Sequence, residues 1–222
     1  MDNLFSRSEE TRSINRSRVI KDLQESKALG KFNKNIDAIY GRIEKYKKLP
    51  QLNNEEMFRF EVVMLVSAID YYIHEIIRIG IIQIFENERE ETKEYNNFII
   101  SLKCVKEAIL NPESTEWLKD EINFRNRTQS FQKMDKIKEG LSIIDEKIHK
   151  KIKYIAKDME LSYREVEDMI NLLVVRRNQI SHQCDIPSGK SERESIDLEY
   201  IDRRISFVKE FINRIHREII IY

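Results

Sequence analysis

The segment Arg176-Arg177-Asn178-Gln179-Ile180-Ser181-His182 gathers polar, reactive side chains where an apolar stripe ends. Upstream of it, Val166, Ile170 and Leu173 recur at spacings of three and four, and Arg177 falls on the same helical face. Arg177 is therefore expected to continue a buried stripe and to point into a cleft or an interface. Its guanidinium is planar, permanently charged and able to fork onto two phosphate oxygens. His182 can take or give a proton near neutral pH. Asn178 stands four residues before His182 and shares its face, so it can orient the imidazole or donate to an anion. Arg177 and His182 are five apart, which separates them by roughly 140° on a regular helix. Two arrangements would bring them to one atom: the helix frays before His182, or the site is assembled from two chains. Arg176 and Ser181 border these residues and are taken as substrate contacts.

The elements that position this segment read as helices. Five Gly and three Pro in 222 residues leave few breakers. A first helix is expected over about 13–49, with Leu29, Phe32, Ile36, Ile39, Tyr40 and Ile43 at helical spacing and Leu49-Pro50 as its end. A second is expected from Asn54 to Phe85, with Glu55 and Glu56 facing the positive end of its dipole. Its last part, Ile79 to Phe85, is rich in β-branched residues, which makes a strand the competing reading; length and the preceding stripe favour helix. Glu86 to Glu94 reads as a solvated acidic loop. Shorter helices are expected at about Asn97–Leu110, Thr115–Asn126 and Gln129–Met159, the last with a break at Gly140. Ser162-Tyr163-Arg164-Glu165 is a capping box that starts the helix carrying Arg177, expected to end near Ile180. Pro187-Ser188-Gly189 marks a turn, and a final helix runs from about Ile196 to the end. The sum is an all-α bundle of long antiparallel helices with shorter inserted ones.

Arg177, Asn178 and His182 form an Arg-Asn pair followed, after three more residues, by a His. In this the chain resembles the HEPN superfamily of small helical domains, whose signature is an Arg, often with Asn or Asp directly behind it, and a His a few residues on. Val66-Ser67-Ala68-Ile69-Asp70-Tyr71-Tyr72-Ile73-His74-Glu75 looks like the early core helix of the RiboL-PSP-type branch, and Tyr200 to Ile215 looks like its closing helix. The likeness runs in outline from Glu55 to Ile215. The first helix departs from the minimal pattern, so the chain reads as one domain over 1–222, with 1–50 a helical addition and 54–216 the core. The resemblance implies metal-independent endoribonuclease activity, a homodimer with the motifs facing each other across a shared cleft, and a toxin–antitoxin or antiviral setting. RNA and an antitoxin or regulatory protein are the partners it implies.

The residue types suit that chemistry. RNA carries its own nucleophile, the 2′-hydroxyl, beside the scissile phosphate. Cleavage then needs a base, an acid for the leaving 5′-oxygen and positive charge on the developing phosphorane, which histidine and arginine supply. One chain offers a single obvious histidine, and two-fold symmetry would supply acid and base from paired copies.

Other readings of the same residues are structural. Arg177 can close a buried ion pair with Asp70 or Glu75, and His182 can cap the helix end. Asp70 and His74, four apart, make two metal ligands without a third; support for Arg177 is the preferred role, and neither a metal nor another cofactor is expected. Cys184 is taken as incidental. The basic run His149-Lys150-Lys151-Ile152-Lys153 and the pair Arg203-Arg204 read as solvated faces or a guide for RNA, and His149 and His216 as surface residues.

Composition narrows the partners. Thirty-nine basic residues balance thirty-nine acidic ones, which argues against an extended nucleic-acid-coating surface but not against a local phosphate site. Two cysteines cannot form a disulfide framework, and a reducing cytoplasm is expected. The first residues lack a signal-peptide run. The most apolar stretch, Ile76 to Phe85, carries Arg78 and falls short of the ~20 residues of a membrane span. The expected protein is neither secreted nor membrane-bound.

Overall fold

The computed structural model describes residues 27–49 and 54–220. Nine helices and no strand occur among the described residues. They are α1 (27–47), α2 (Asn54–Phe85), α3 (Lys93–Asn96), α4 (Leu102–Leu110), α5 (Glu116–Asn126), α6 (Met134–Ser142), α7 (Ile148–Asp158), α8 (Tyr163–Gln183) and α9 (Leu198–Ile220). The start of the expected first helix, 13–26, and Pro50 lie outside the described residues, as do the first residues of the chain.

The long helix α2 is the axis of the bundle and touches α5, α6, α8 and α9. Its last turns are buried all round, from Ile79 through Ile84. That is why this β-branched run is helical: surrounded by other helices, it gains packing on every face and needs no amphipathic stripe. α1 lies antiparallel to α2, with Arg42 against Glu61 and Lys31 against Tyr71. It is also antiparallel to α9, where Tyr40 meets Ser206 and Asp37 meets Lys209. Phe32, Ile36, Ile39 and Ile43 belong to the same buried core as α2 and α9.

Several boundaries move for local reasons. Ser101 starts α4, because its hydroxyl accepts from the Cys104 N–H at 3.2 Å, so 97–100 stay outside the helix. Gly140 does not break its helix. A Cβ there would fall 2.6 Å from both Ile77 Cδ1 and the Phe131 ring, so the glycine permits close packing. The break follows at 143–147, where Asp145 accepts from the Lys147 N–H at 2.8 Å and from Lys151 Nζ at 2.6 Å. The acidic loop after α2 is not wholly solvated. Arg89 is buried and donates to Gln83 Oε1 and to the carbonyls of Ile144 and Ile219, and Lys93–Asn96 forms a short helix capped by Thr92. Among the described residues no helix is long and apolar enough to cross a membrane.

His216, expected at the surface, is instead buried at 6% exposure, with Nδ1 2.9 Å from Tyr72 Oη. A polar residue on the inner face of α9 can be buried because a distant hydroxyl on α2 meets it. Burial pushes its imidazole down to about 4 from the ordinary 6.5. The unfolded chain therefore takes this proton below 6.5, while the fold resists it until about 4. Its share of stability is complete above the higher value and lost as pH falls toward the lower, in all about 3 kcal/mol. His216→Gln, which has no such titration, should lose correspondingly less stability than the wild type between pH 7 and pH 4 in urea melts. Equal losses in the two proteins would contradict the assignment.

Candidate functional site

α8 begins at the expected capping box, with Ser162 Oγ accepting from the Glu165 N–H at 3.2 Å and Glu165 Oε2 accepting from the Ser162 N–H at 2.7 Å. Val166, Ile170, Leu173 and Val174 form its buried face. At the C-terminal end the inward direction passes to Arg176, which is 7% exposed, while Arg177 is half-buried. Spacing from Leu173 permits either arginine to face in; partners decide, because a guanidinium is buried only where acceptors await it. Arg176 Nη2 donates to Asp185 Oδ2 at 2.8 Å and to the carbonyls of Glu194 and Ser195, and Nη1 pairs with Glu194 Oε2 at 2.6 Å. Arg176, taken in the sequence as a substrate contact, is thus turned inward onto Asp185 and Glu194 and does not line the groove beside Arg177.

Asp185 is the centre of this cluster. Its carboxylate has no exposed surface and also accepts from Arg59 Nε at 2.6 Å and Gln179 Nε2 at 3.1 Å. Cys184 and Asp185 both adopt left-handed backbone, with φ of 50° and 65°, which turns the chain under the helix end and delivers Asp185 to the two arginines. The Gln179 amide and the Arg176 charge hold the Glu194 carboxyl below its usual range.

The helix stays regular through Gln183. Fraying before His182 is therefore not the arrangement adopted, and Arg177 and His182 leave the helix in different directions. Arg177 and Asn178 line an open groove of about 510 Å³. Its other wall is the α5–α6 loop, including Gln129, Ser130, Gln132 and Lys133. Ser181 lines a separate hollow of about 350 Å³ with Arg59, Cys184 and Arg193. His182 is exposed and lines neither. Among the described residues, the side chains of Arg177, Asn178 and His182 have no hydrogen-bond or ion-pair partner.

The ion pair considered for Arg177 is not made. Glu75 is paired with Arg78 at 2.6 Å. Asp70 accepts from the Phe131 N–H at 2.7 Å and from Gln132 Nε2 at 3.2 Å, and His74 Nε2 lies 3.6 Å away. The His74 ring meets the Phe131 ring edge-on at 4.7 Å between centroids. Asp70 and His74 therefore hold the far wall of the groove and do not touch Arg177. This wall departs from the expected helix over Gln129–Met159: Gln129 to Lys133 form a loop, and its anchor lies some sixty positions upstream. Among the described residues no three His, Cys, Asp or Glu side chains gather as a metal site would require.

An all-helical bundle is the architecture of HEPN domains. A family model described as RiboL-PSP-HEPN matches residues 17–220, and the chain belongs to that family. The matched region takes in α1 as well as the helices that follow. No curated protein and no solved structure gives a significant match. Membership suggests a nuclease or RNA-related role.

The Asp185 cluster carries its own test. Asp185→Ala removes the fully buried carboxylate that Arg59 and Arg176 share, leaving them the half-exposed Glu55, Glu56 and Glu194, and should cost about 3 kcal/mol in urea melts. Glu194→Ala, which removes a carboxylate 48% exposed, should cost no more than about 1 kcal/mol. Equal losses would refute the central place of Asp185.

Proposed function

We propose that the protein is a metal-independent endoribonuclease in which Arg177 binds and stabilises the reacting phosphate, His182 transfers protons and Asn178 assists one or both. The observation that supports this best is the free state of Arg177: a half-buried guanidinium on a groove wall, without a carboxylate partner, is a ready anion site. The 2′-hydroxyl of RNA is the nucleophile, its proton passes to a base as the oxygen attacks phosphorus, and the 5′-oxygen leaves with a proton from an acid. Arg177→Ala and His182→Ala should each lower cleavage by on the order of a hundredfold or more while keeping the fold. Products should end in a 2′,3′-cyclic phosphate and a 5′-hydroxyl and form equally well in EDTA. Wild-type rates in either variant, or 3′-hydroxyl ends, would sink the mechanism.

Arg177 and His182 diverge on a regular helix, and this supports a site completed by a second copy, with His182 of one chain approaching a phosphate held by Arg177 of the other. Two inactive variants, one altered at Arg177 and one at His182, should then regain part of the activity when mixed under conditions where subunit exchange is shown. A monomer by light scattering at concentrations that cleave RNA would overturn the shared site. The biological setting consistent with this reading is a toxin–antitoxin or antiviral system.

A second reading, a helical interaction module, is favoured by the exposed apolar ridge of α4, where Leu102 is 85% and Ile109 74% exposed. It would be the correct one if purified protein bound a partner protein but cut no RNA.

A further inference from the structure

The groove beside Arg177 has two walls, and the motif accounts for one. The other, the α5–α6 loop, is anchored to two helices. Phe131 is its plug, buried at 5% exposure against His74 and under Gly140. Asp70 on α2 holds the loop by the Phe131 N–H and the Gln132 amide. Just beyond it, the Met134 N–H donates to Asn171 Oδ1 on α8 at 3.1 Å. A loop tied to both α2 and α8 keeps a constant position relative to Arg177, as a preformed binding wall must.

The charges in the groove are unevenly matched. Glu139, the acid among its lining residues, is neutralised by Lys136 at 2.6 Å. Lys133 is exposed and, like Arg177 across from it, has no carboxylate partner among the described residues. Two uncompensated cations on facing walls favour an anionic chain between them, in a protein of zero formal net charge. Hydroxyl and amide side chains of Ser130, Gln129 and Asn178 fill the space around them.

Building on the nuclease reading above, we propose that the α5–α6 loop is a substrate subsite for single-stranded RNA: Lys133 binds the phosphate neighbouring the one held by Arg177, and Asp70 is the positioning residue that holds the loop. The groove, about 510 Å³, is lined by amide and hydroxyl side chains beside its two cations. The amides suit the unpaired edges of bases, which a duplex hides. The aromatic ring in this wall is buried, so backbone and base-edge contacts hold the strand in place of stacking.

The test uses full-length His182→Ala protein, which keeps RNA intact, and fluorescence anisotropy with a labelled single-stranded oligonucleotide and a matching duplex over a range of salt. The single strand should bind more tightly than the duplex. Adding Lys133→Ala should weaken single-strand binding several-fold and make the log–log salt slope shallower by about 0.7, the loss of one phosphate contact. Lys133→Arg should restore both, and Lys93→Ala, an exposed lysine of α3 that does not line the groove, should change neither. In otherwise wild-type protein, Asp70→Ala should raise KM for RNA with little change in kcat. Unchanged affinity and slope in Lys133→Ala, with binding still lost in Arg177→Ala, would overturn the loop subsite and leave the nuclease reading standing. Tighter binding of duplex would overturn the single-strand assignment, and no RNA binding by the parent protein would overturn both.

Discussion

A carboxylate with no exposed surface, Asp185, lies between the guanidiniums of Arg59 and Arg176, and the candidate site hangs from this contact. Burying any of the three alone would carry a large desolvation cost; together, with Gln179 and the backbone carbonyls of Glu194 and Ser195, they neutralise one another, and Arg176 Nε alone of these buried donors is left without a hydrogen bond among the described residues. The cluster joins the first turns of α2, the last turns of α8 and the segment that leads into α9. It therefore determines where α8 ends and how its final residues are turned.

That rigidity separates three neighbouring functions on one helix. Arg176 faces inward and is neutralised, Arg177 faces a groove without a counter-ion, and His182 faces solvent one turn further on. Adjacent arginines of identical chemistry thus do opposite jobs, one closing the structure and the other available to an anion. The groove's far wall is held by a part-buried carboxylate-to-backbone contact, from Asp70 to Phe131. Two acidic residues, each engaged fully within the protein, leave the basic side chains of the groove uncompensated.

Much of this bundle was legible in the sequence, for physical reasons that also explain what was not. The stripes of α2, α8 and α9 and the Ser162 capping box are local patterns, complete within a few turns, and they located the helices that matter. Helical spacing could not choose between Arg176 and Arg177, because both lie within reach of the Leu173 face and the choice rests on Asp185 and Glu194 beyond the helix. Arg89 and His216 read as surface residues because their acceptors and donors are remote: Arg89 reaches Ile219, and His216 reaches Tyr72. The second wall of the groove was invisible for the same reason. Gln129 to Lys133 read as the start of a helix, and local spacing says nothing of the Asp70 carboxylate that holds them as a loop.

The reach of the Asp185 cluster along the chain has a consequence for synthesis. Arg59 and Asp185 are separated by 126 positions, and Arg59 and the Glu194 carbonyl by 135. A growing chain that has already made α2 through α8 still lacks the groups that anchor the end of α8. Only after Glu194 has left the ribosome can the cluster close, and α9, which seals the core, follows it. The residues proposed for catalysis thus reach their working positions only when the chain as far as Glu194 is free to fold, so a chain that stops before it carries the motif without the site.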